Sequence, residues 1–293
     1  MAQVPDNPDI RALRSLLFVP GSRADMIAKV GRSGPDGVVL DLEDAVAAAD
    51  KDTARDTVVE ALDTLELPAS TLVLVRVNVP GSPWFADDVA AVAATRAAGV
   101  VLPKLERTDQ LADLQRLFVA HGRDAADPAV VVAGLETALG VADSRELLAA
   151  GAAMGVIAAY FGAEDYIADM GGRRTAEGTE VLYARSRVAL AARLAGLAAL
   201  DQVVVAVHDD AAFLADAEQA RALGYPGKIC LHPEQVALAN RVFTPSAEEI
   251  AHARAVLAAS VDGVGLLNGE MIDDVHVRMA RATLARAGEP TPS

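Results

Sequence analysis

Eight short runs of consecutive apolar residues divide the chain, and each is followed by a stretch with helical spacing. The runs lie at 15–19, 37–42, 71–78, 99–103, 129–136, 155–162, 202–207 and 227–231. Helical patterns follow at 23–32, 50–65, 84–97, 108–121, from the fifth run to 150, then at 179–196, 211–223 and 233–242, with a long loop after the sixth run. Continuous rather than alternating apolar strands indicate a parallel sheet covered on both faces. Eight such units in roughly 230 residues fit a (β/α)₈ barrel. A doubly wound sheet would instead carry a Gly-rich dinucleotide turn after its first strand, and PGSRAD (20–25) is not one. Two further helical patterns, 246–259 and 271–287, are surplus to the barrel, and the intervening VDGVGLLNG reads as a hinge. The predicted organisation is a loose tail at 1–13, a barrel at 14–245 and a helical extension at 246–293.

Charge and composition narrow the partners. The formal net charge is −15, which argues against a nucleic-acid or anionic-membrane partner but leaves room for a phosphorylated small ligand. Cys230 is the single cysteine, so no intrachain disulfide forms, in keeping with a reducing cytoplasm. The first fifteen residues lack the apolar core of a secretion signal, and no apolar run is long enough to span a bilayer.

In a barrel, polar residues at strand C-terminal ends face the site. Here these are Asp41, Glu43 and Asp44; Arg76 and Asn78; Lys104 and Glu106; Glu136; Glu164 and Asp165; His208, Asp209 and Asp210; and His232. So many acids beside two bases repel one another, and a bound divalent cation relieves that repulsion. Glu136 and Asp165 end adjacent strands, so the pair reads as a Mg²⁺ site, although either alone reads as a helix cap. Glu43 and Asp44 read as partners of metal-bound water. Arg76, inside VLVRVNV, either neutralises Asp41 or Glu43 or grips an anionic substrate with its planar fork. Lys104 either pairs with Glu106 or binds phosphate. His208 and His232 each read as a polar loop residue, and Cys230 as buried and inert.

The same residues fall in motifs that occur in order along the chain. They are RSLLFVPGS (14–22), VVLDLEDAV (38–46), LVRVN (74–78), LPKLE (102–106), GLETALG (134–140), FGAEDY (161–166), LYARSRV (182–188), GYPGKICLHPEQV (224–236) and GEMID (269–273). Over about residues 14–290 the chain resembles the citrate lyase β-subunit-like branch of the HpcH/HpaI aldolase–citrate lyase superfamily. The resemblance implies a barrel, Mg²⁺, and carbon–carbon bond cleavage or formation on a 3-hydroxyacyl-CoA thioester such as malyl-, citramalyl- or citryl-CoA, with a 2-oxo acid and an acyl-CoA as small-molecule partners. It implies Glu136 and Asp165 as metal ligands, Arg76 as substrate ligand, and Asp273 as the acid–base carboxylate on a C-terminal lid. That lid closes over a neighbouring subunit in trimeric relatives, so a homotrimer or dimer of trimers is expected. Arg14, Arg23 or Lys29, near the first strands, would meet the coenzyme A phosphates, although each taken alone reads as solvated surface charge. Two departures stand out. Ala206 occupies a position at the expected seventh-strand rim where relatives often carry Asp. Asp274 follows Asp273 directly, and like-charge repulsion would raise the Asp273 pKa.

Overall fold

The computed structural model describes residues 13–260 and 264–289. The expected tail at 1–13 lies, except for Leu13, outside the described residues. Strands β1 (Ser15–Pro20), β2 (Gly37–Asp41), β3 (Leu72–Arg76), β4 (Gly99–Leu102), β5 (Val130–Leu135), β6 (Val156–Phe161), β7 (Ala198–Asp201) and β8 (Gly227–Cys230) close into a barrel in chain order. Each pairs in parallel with the next, and β8 pairs with β1. Helices α1 (Ala24–Ile27), α2 (Lys51–Thr64), α3 (Phe85–Ala93), α4 (Thr108–Ala120), α5 (Ala138–Ala142), α6 (Ser144–Gly151), α7 (Ala163–Asp169), α8 (Thr179–Leu194), α9 (Asp210–Ala222) and α10 (Pro233–Phe243) form the outer layer.

The continuous apolar runs behave as their pattern requires. All five residues of β2 and all four of β4 are buried, because one face fills the barrel and the other meets helices. The interior cluster includes Leu16, Val39, Leu74, Val101, Val132 and Leu200. Since all strands run the same way, the residues that follow them collect on one rim.

The seventh strand differs from the expectation. Ala198–Asp201 forms β7, and the more apolar 202–207 is a loop in which Val205 is exposed. The reason is a buried ion cluster. Asp201 accepts two 2.7 Å hydrogen bonds from the Arg185 guanidinium of α8 and a 2.5 Å bond from Lys228 of β8. Lys228 Nζ also meets Asp216 of α9. These bonds fix Asp201 opposite Lys228 in the ladder. A buried acid with both partners in place outweighs the β-propensity of the valines that follow. Ala206 therefore lies in a loop, not at the end of a strand. The expected long loop after the sixth strand also contains α7, whose first turn carries Glu164 and Asp165.

Residues 241–293 form a second compact unit. In it α11 (Ala247–Ala259) and α12 (Asp274–Arg286) pack through Ala253, Val256, Ala280 and Leu284. The described part of the expected hinge supplies β9 (Gly265–Leu267) and the turn into β10 (Glu270–Ile272), which takes the first residues of the expected helix 271–287, while 261–263 lie outside the described residues. Among the described residues no helix is long and apolar enough to cross a membrane.

Candidate active site

Asp41 ends β2 and Arg76 ends β3, and the two are direct partners in the parallel ladder. Their side chains meet in a two-point pair, Nε to Oδ1 at 2.7 Å and Nη2 to Oδ2 at 2.6 Å. Asp41 also accepts from the main-chain N–H groups of Glu43 and Ala45, so the turn after β2 is wound around its carboxylate. The Nη1 of Arg76 lies 2.8 Å from Glu43 Oε2, and the guanidinium sits over the Phe18 ring. Lys51 of α2 fixes the same turn, donating to the Leu42 and Glu43 carbonyls at 2.7 Å each. Arg76 thus neutralises both acids, and its guanidinium is held in one orientation.

Lys104 bridges the two halves of the rim. Its Nζ lies 2.9 Å from Glu43 Oε1 and 3.3 Å from Asp165 Oδ1. The expected partner Glu106 is not the one it takes. Lys104 has φ of +49°, a left-handed conformation that costs a side-chain-bearing residue about 1–3 kcal/mol. That conformation comes with its backbone N–H aimed at Glu136 Oε1, 2.8 Å away.

Glu136 follows β5 and is buried. Its Oε2 accepts a 2.9 Å hydrogen bond from the Tyr160 hydroxyl of β6. Gly162 makes room for it: a Cβ there would stand 2.3 Å from Oε2. Burial pushes the Glu136 carboxyl up to about 7, helped by the negative charges of Glu43 and Asp165. A carboxylate held against its own solvation and facing two other acids favours a cation beside it. Glu136 and Asp165 fit Mg²⁺ for this reason. Among the described residues neither carboxylate belongs to a group of three His, Cys, Asp or Glu whose ligand atoms all lie within 4.8 Å of one another. A cation here would rest on two carboxylates and keep its other positions for water and substrate oxygens, as Mg²⁺ commonly does.

Other expected residues fall elsewhere. Arg14 precedes β1 and so lies at the opposite end of the barrel from the carboxylate rim. Its side chain and main-chain N–H both bind Asp36, and its carbonyl accepts from Lys228. The structure therefore does not support Arg14 as a substrate ligand at this rim. Arg23 follows β1 and pairs with Asp25 on the surface. Asp44 stands 4.0 Å from Arg76 and 3.9 Å from Lys104, at the exposed edge of the same cluster. Asn78 is occupied by Asp88 of α3.

Asp273 belongs to the second unit, where it caps α12. It accepts from the N–H groups of Val275 and His276 and lies 2.7 Å from His276 Nδ1. Hydrogen bonding to His276 lowers its pKa, opposite to the rise expected from Asp274. Tyr160, Lys51 and the Arg185–Asp201–Lys228 cluster are not among the candidates the sequence singles out, although Arg185 and Lys228 fall within two of its motifs. Lys228 carried the same signal as Arg76, a lone cation within an apolar strand. Tyr160 carried none, since a Tyr in a strand is ordinarily core.

Comparison with known proteins places the chain in a family. The family model described as HpcH/HpaI aldolase/citrate lyase matches residues 14–233. A citrate lyase subunit beta-like protein of Deinococcus radiodurans is 49% identical over 93% of this chain and 96% of its own. The human mitochondrial citramalyl-CoA lyase is 32% identical over 94% of this chain and 85% of its own. The crystal structure of CitE from Mycobacterium tuberculosis with magnesium, acetoacetate and coenzyme A superposes with a TM-score of 0.80 at 35% identity, covering 94% of this chain and 98% of that one. The chain belongs to the HpcH/HpaI aldolase/citrate lyase family.

Proposed function

We propose that the chain is a Mg²⁺-dependent carbon–carbon lyase that cleaves, or forms, a 3-hydroxyacyl-CoA thioester of the malyl, citramalyl or citryl type, yielding an acyl-CoA and a 2-oxo acid. The observation that carries this reading is the buried Glu136 facing Asp165 across a rim that also presents Arg76. The magnesium, acetoacetate and coenzyme A bound to the mycobacterial relative support the ligand classes.

Glu136 and Asp165 would hold Mg²⁺, which supplies Lewis-acid polarisation and a template for the substrate's oxygens. Arg76 stabilises the hydroxyl oxygen as it becomes the carbonyl of the 2-oxo acid, from a position preset by Asp41. Lys104 offsets the acidic charge of Glu43 and Asp165, so an anionic substrate is tolerated at the rim. In cleavage the hydroxyl gives its proton to water at the open rim, its oxygen becomes the carbonyl of the 2-oxo acid, the electron pair of the broken C–C bond passes to the thioester as an enolate, and the acyl carbon then takes up a proton. Asp273 is the proposed donor to that carbon, and in condensation it takes the proton back. A homotrimer, in which one copy's second unit closes on a neighbouring barrel, is the proposed assembly.

Three variants test this reading. Glu136→Ala or Asp165→Ala is expected to abolish Mg²⁺ binding and turnover together. Full activity in either would overturn the metal assignment. Asp273→Asn is expected to keep 2-oxo acid binding and lose turnover. Normal turnover in that variant would remove Asp273 from the mechanism.

A further inference from the structure

We propose a second metal site, for a transition ion such as Zn²⁺, formed by His208 and His232 on the loops after β7 and β8 and by Glu234 in the first turn of α10. The three residues come from two successive connections of the barrel, so the sequence alone gives no hint that they meet. His208 Nδ1 lies 3.7 Å and His232 Nδ1 3.5 Å from Glu234 Oε2. The ligand atoms of all three lie within 4.8 Å of one another, an arrangement no other group of His, Cys, Asp or Glu reaches among the described residues. Tetrahedral Zn²⁺ with bonds of about 2.1 Å sets its ligand atoms about 3.4 Å apart. Two of the three edges are therefore close to the required length before any ion binds. The two imidazoles meet edge to face, with centroids 5.0 Å apart, instead of stacking.

The loops are held together independently of the histidines. Gln235 is buried, accepts from the N–H groups of Leu231 and His232, and donates to the Val204 carbonyl at 3.0 Å. One side chain thus ties the turn that carries His232 and Glu234 to the loop that carries His208. Asp209, next to His208, is fixed as the cap of α9. Backbone positions set in this way reduce the ordering cost of metal capture.

The donor set separates this site from the carboxylate rim. Two imidazoles with one carboxylate suit Zn²⁺, Co²⁺ or Ni²⁺, whereas Mg²⁺ takes oxygen ligands. The side chains of His208 and Glu234 are 75% and 67% exposed, so the fourth position is open to water or a small anion. The excess of acid in the chain further raises the local concentration of divalent cations.

The test is equilibrium dialysis of the full chain, stripped with chelator, against Zn²⁺ in saturating Mg²⁺. One bound Zn²⁺ per chain is expected. His208→Ala and His232→Ala should each weaken it tenfold or more, and Glu136→Gln should leave it unchanged. Co²⁺ in place of Zn²⁺ should give the visible absorption of a low-coordinate nitrogen site, lost in His208→Ala. His208 is exposed, so that variant retains its fold, checked by circular dichroism. Zn²⁺ binding that survives both histidine variants, or that disappears with Glu136→Gln, would overturn the proposal. So would the absence of bound Zn²⁺ in the parent chain.

Discussion

Asp41 and Arg76 face each other across two adjacent strands and close a two-point ion pair, with Nε and Nη2 at 2.7 and 2.6 Å from the two carboxylate oxygens. The pair converts a flexible cation into a fixed fork. Arg76→Lys keeps the charge and loses the fork. We expect the KM for the substrate to rise tenfold or more with the fold intact. Steady-state kinetics on the variant checks this, and an unchanged KM would mean that Arg76 only neutralises Asp41 and Glu43.

The Glu136 carboxyl gives a pH dependence of definite sign. In the metal-free protein it titrates at about 7, against 4.5 for the ordinary group. The folded state therefore holds the proton more tightly than the unfolded chain. Its favourable contribution is complete below pH 4.5 and is lost as pH rises through 7, a change of about 3 kcal/mol. Glu136→Gln removes the term. Urea denaturation in chelator should show the variant gaining on the parent between pH 5 and pH 8. On the proposed assignment of Glu136 as a ligand, Mg²⁺ displaces the proton in the parent, so its apparent affinity should climb about tenfold per pH unit below 7 and level off above.

Gly162 tests how tightly Glu136, the proposed metal ligand, is confined. A Cβ at this position would stand 2.3 Å from Glu136 Oε2 and 2.5 Å from its Cβ. Gly162→Ala is expected to move the carboxylate and weaken Mg²⁺ by at least tenfold. Calorimetric titration measures this, and parent-like affinity would show that the carboxylate has room to move.

Tyr160 orients the same carboxylate through its hydroxyl. Groups that hold a metal ligand commonly account for 10–100-fold in affinity. Tyr160→Phe keeps the ring and its edge contact with Phe18. It should raise the Mg²⁺ concentration for half-maximal activity while leaving thermal stability nearly unchanged.

The Arg185–Asp201–Lys228 cluster is predicted to act on stability. Lys228→Ala leaves Asp201 buried with half its partners. Breaking a buried pair costs about 3–5 kcal/mol, readable as a shift in denaturation midpoint.

Most of the barrel was legible in the sequence. Seven of its strands coincide with apolar runs, because a strand buried on both faces leaves little doubt in its composition. The rim acids were legible for the same reason, each standing where an apolar run stops. The seventh strand was not. AALD continues the Ala–Leu pattern of the preceding helix, and its pairing is decided by Asp201 meeting Arg185 and Lys228, contacts distant in sequence. Arg14 was misplaced because adjacency to the first strand does not say which end of the barrel a residue occupies. His208 and His232 looked solitary because the loops that join them are brought together by Gln235.

The most direct measurement is release of 2-oxo acid by the purified chain from malyl-, methylmalyl-, citramalyl- and citryl-CoA, with and without Mg²⁺. The account predicts release from at least one thioester, dependent on Mg²⁺ and lost in Glu136→Ala. Silence on all four, with a 2-oxo acid still binding in the presence of Mg²⁺, would contradict it and point to a carrier-protein thioester handled within a larger complex.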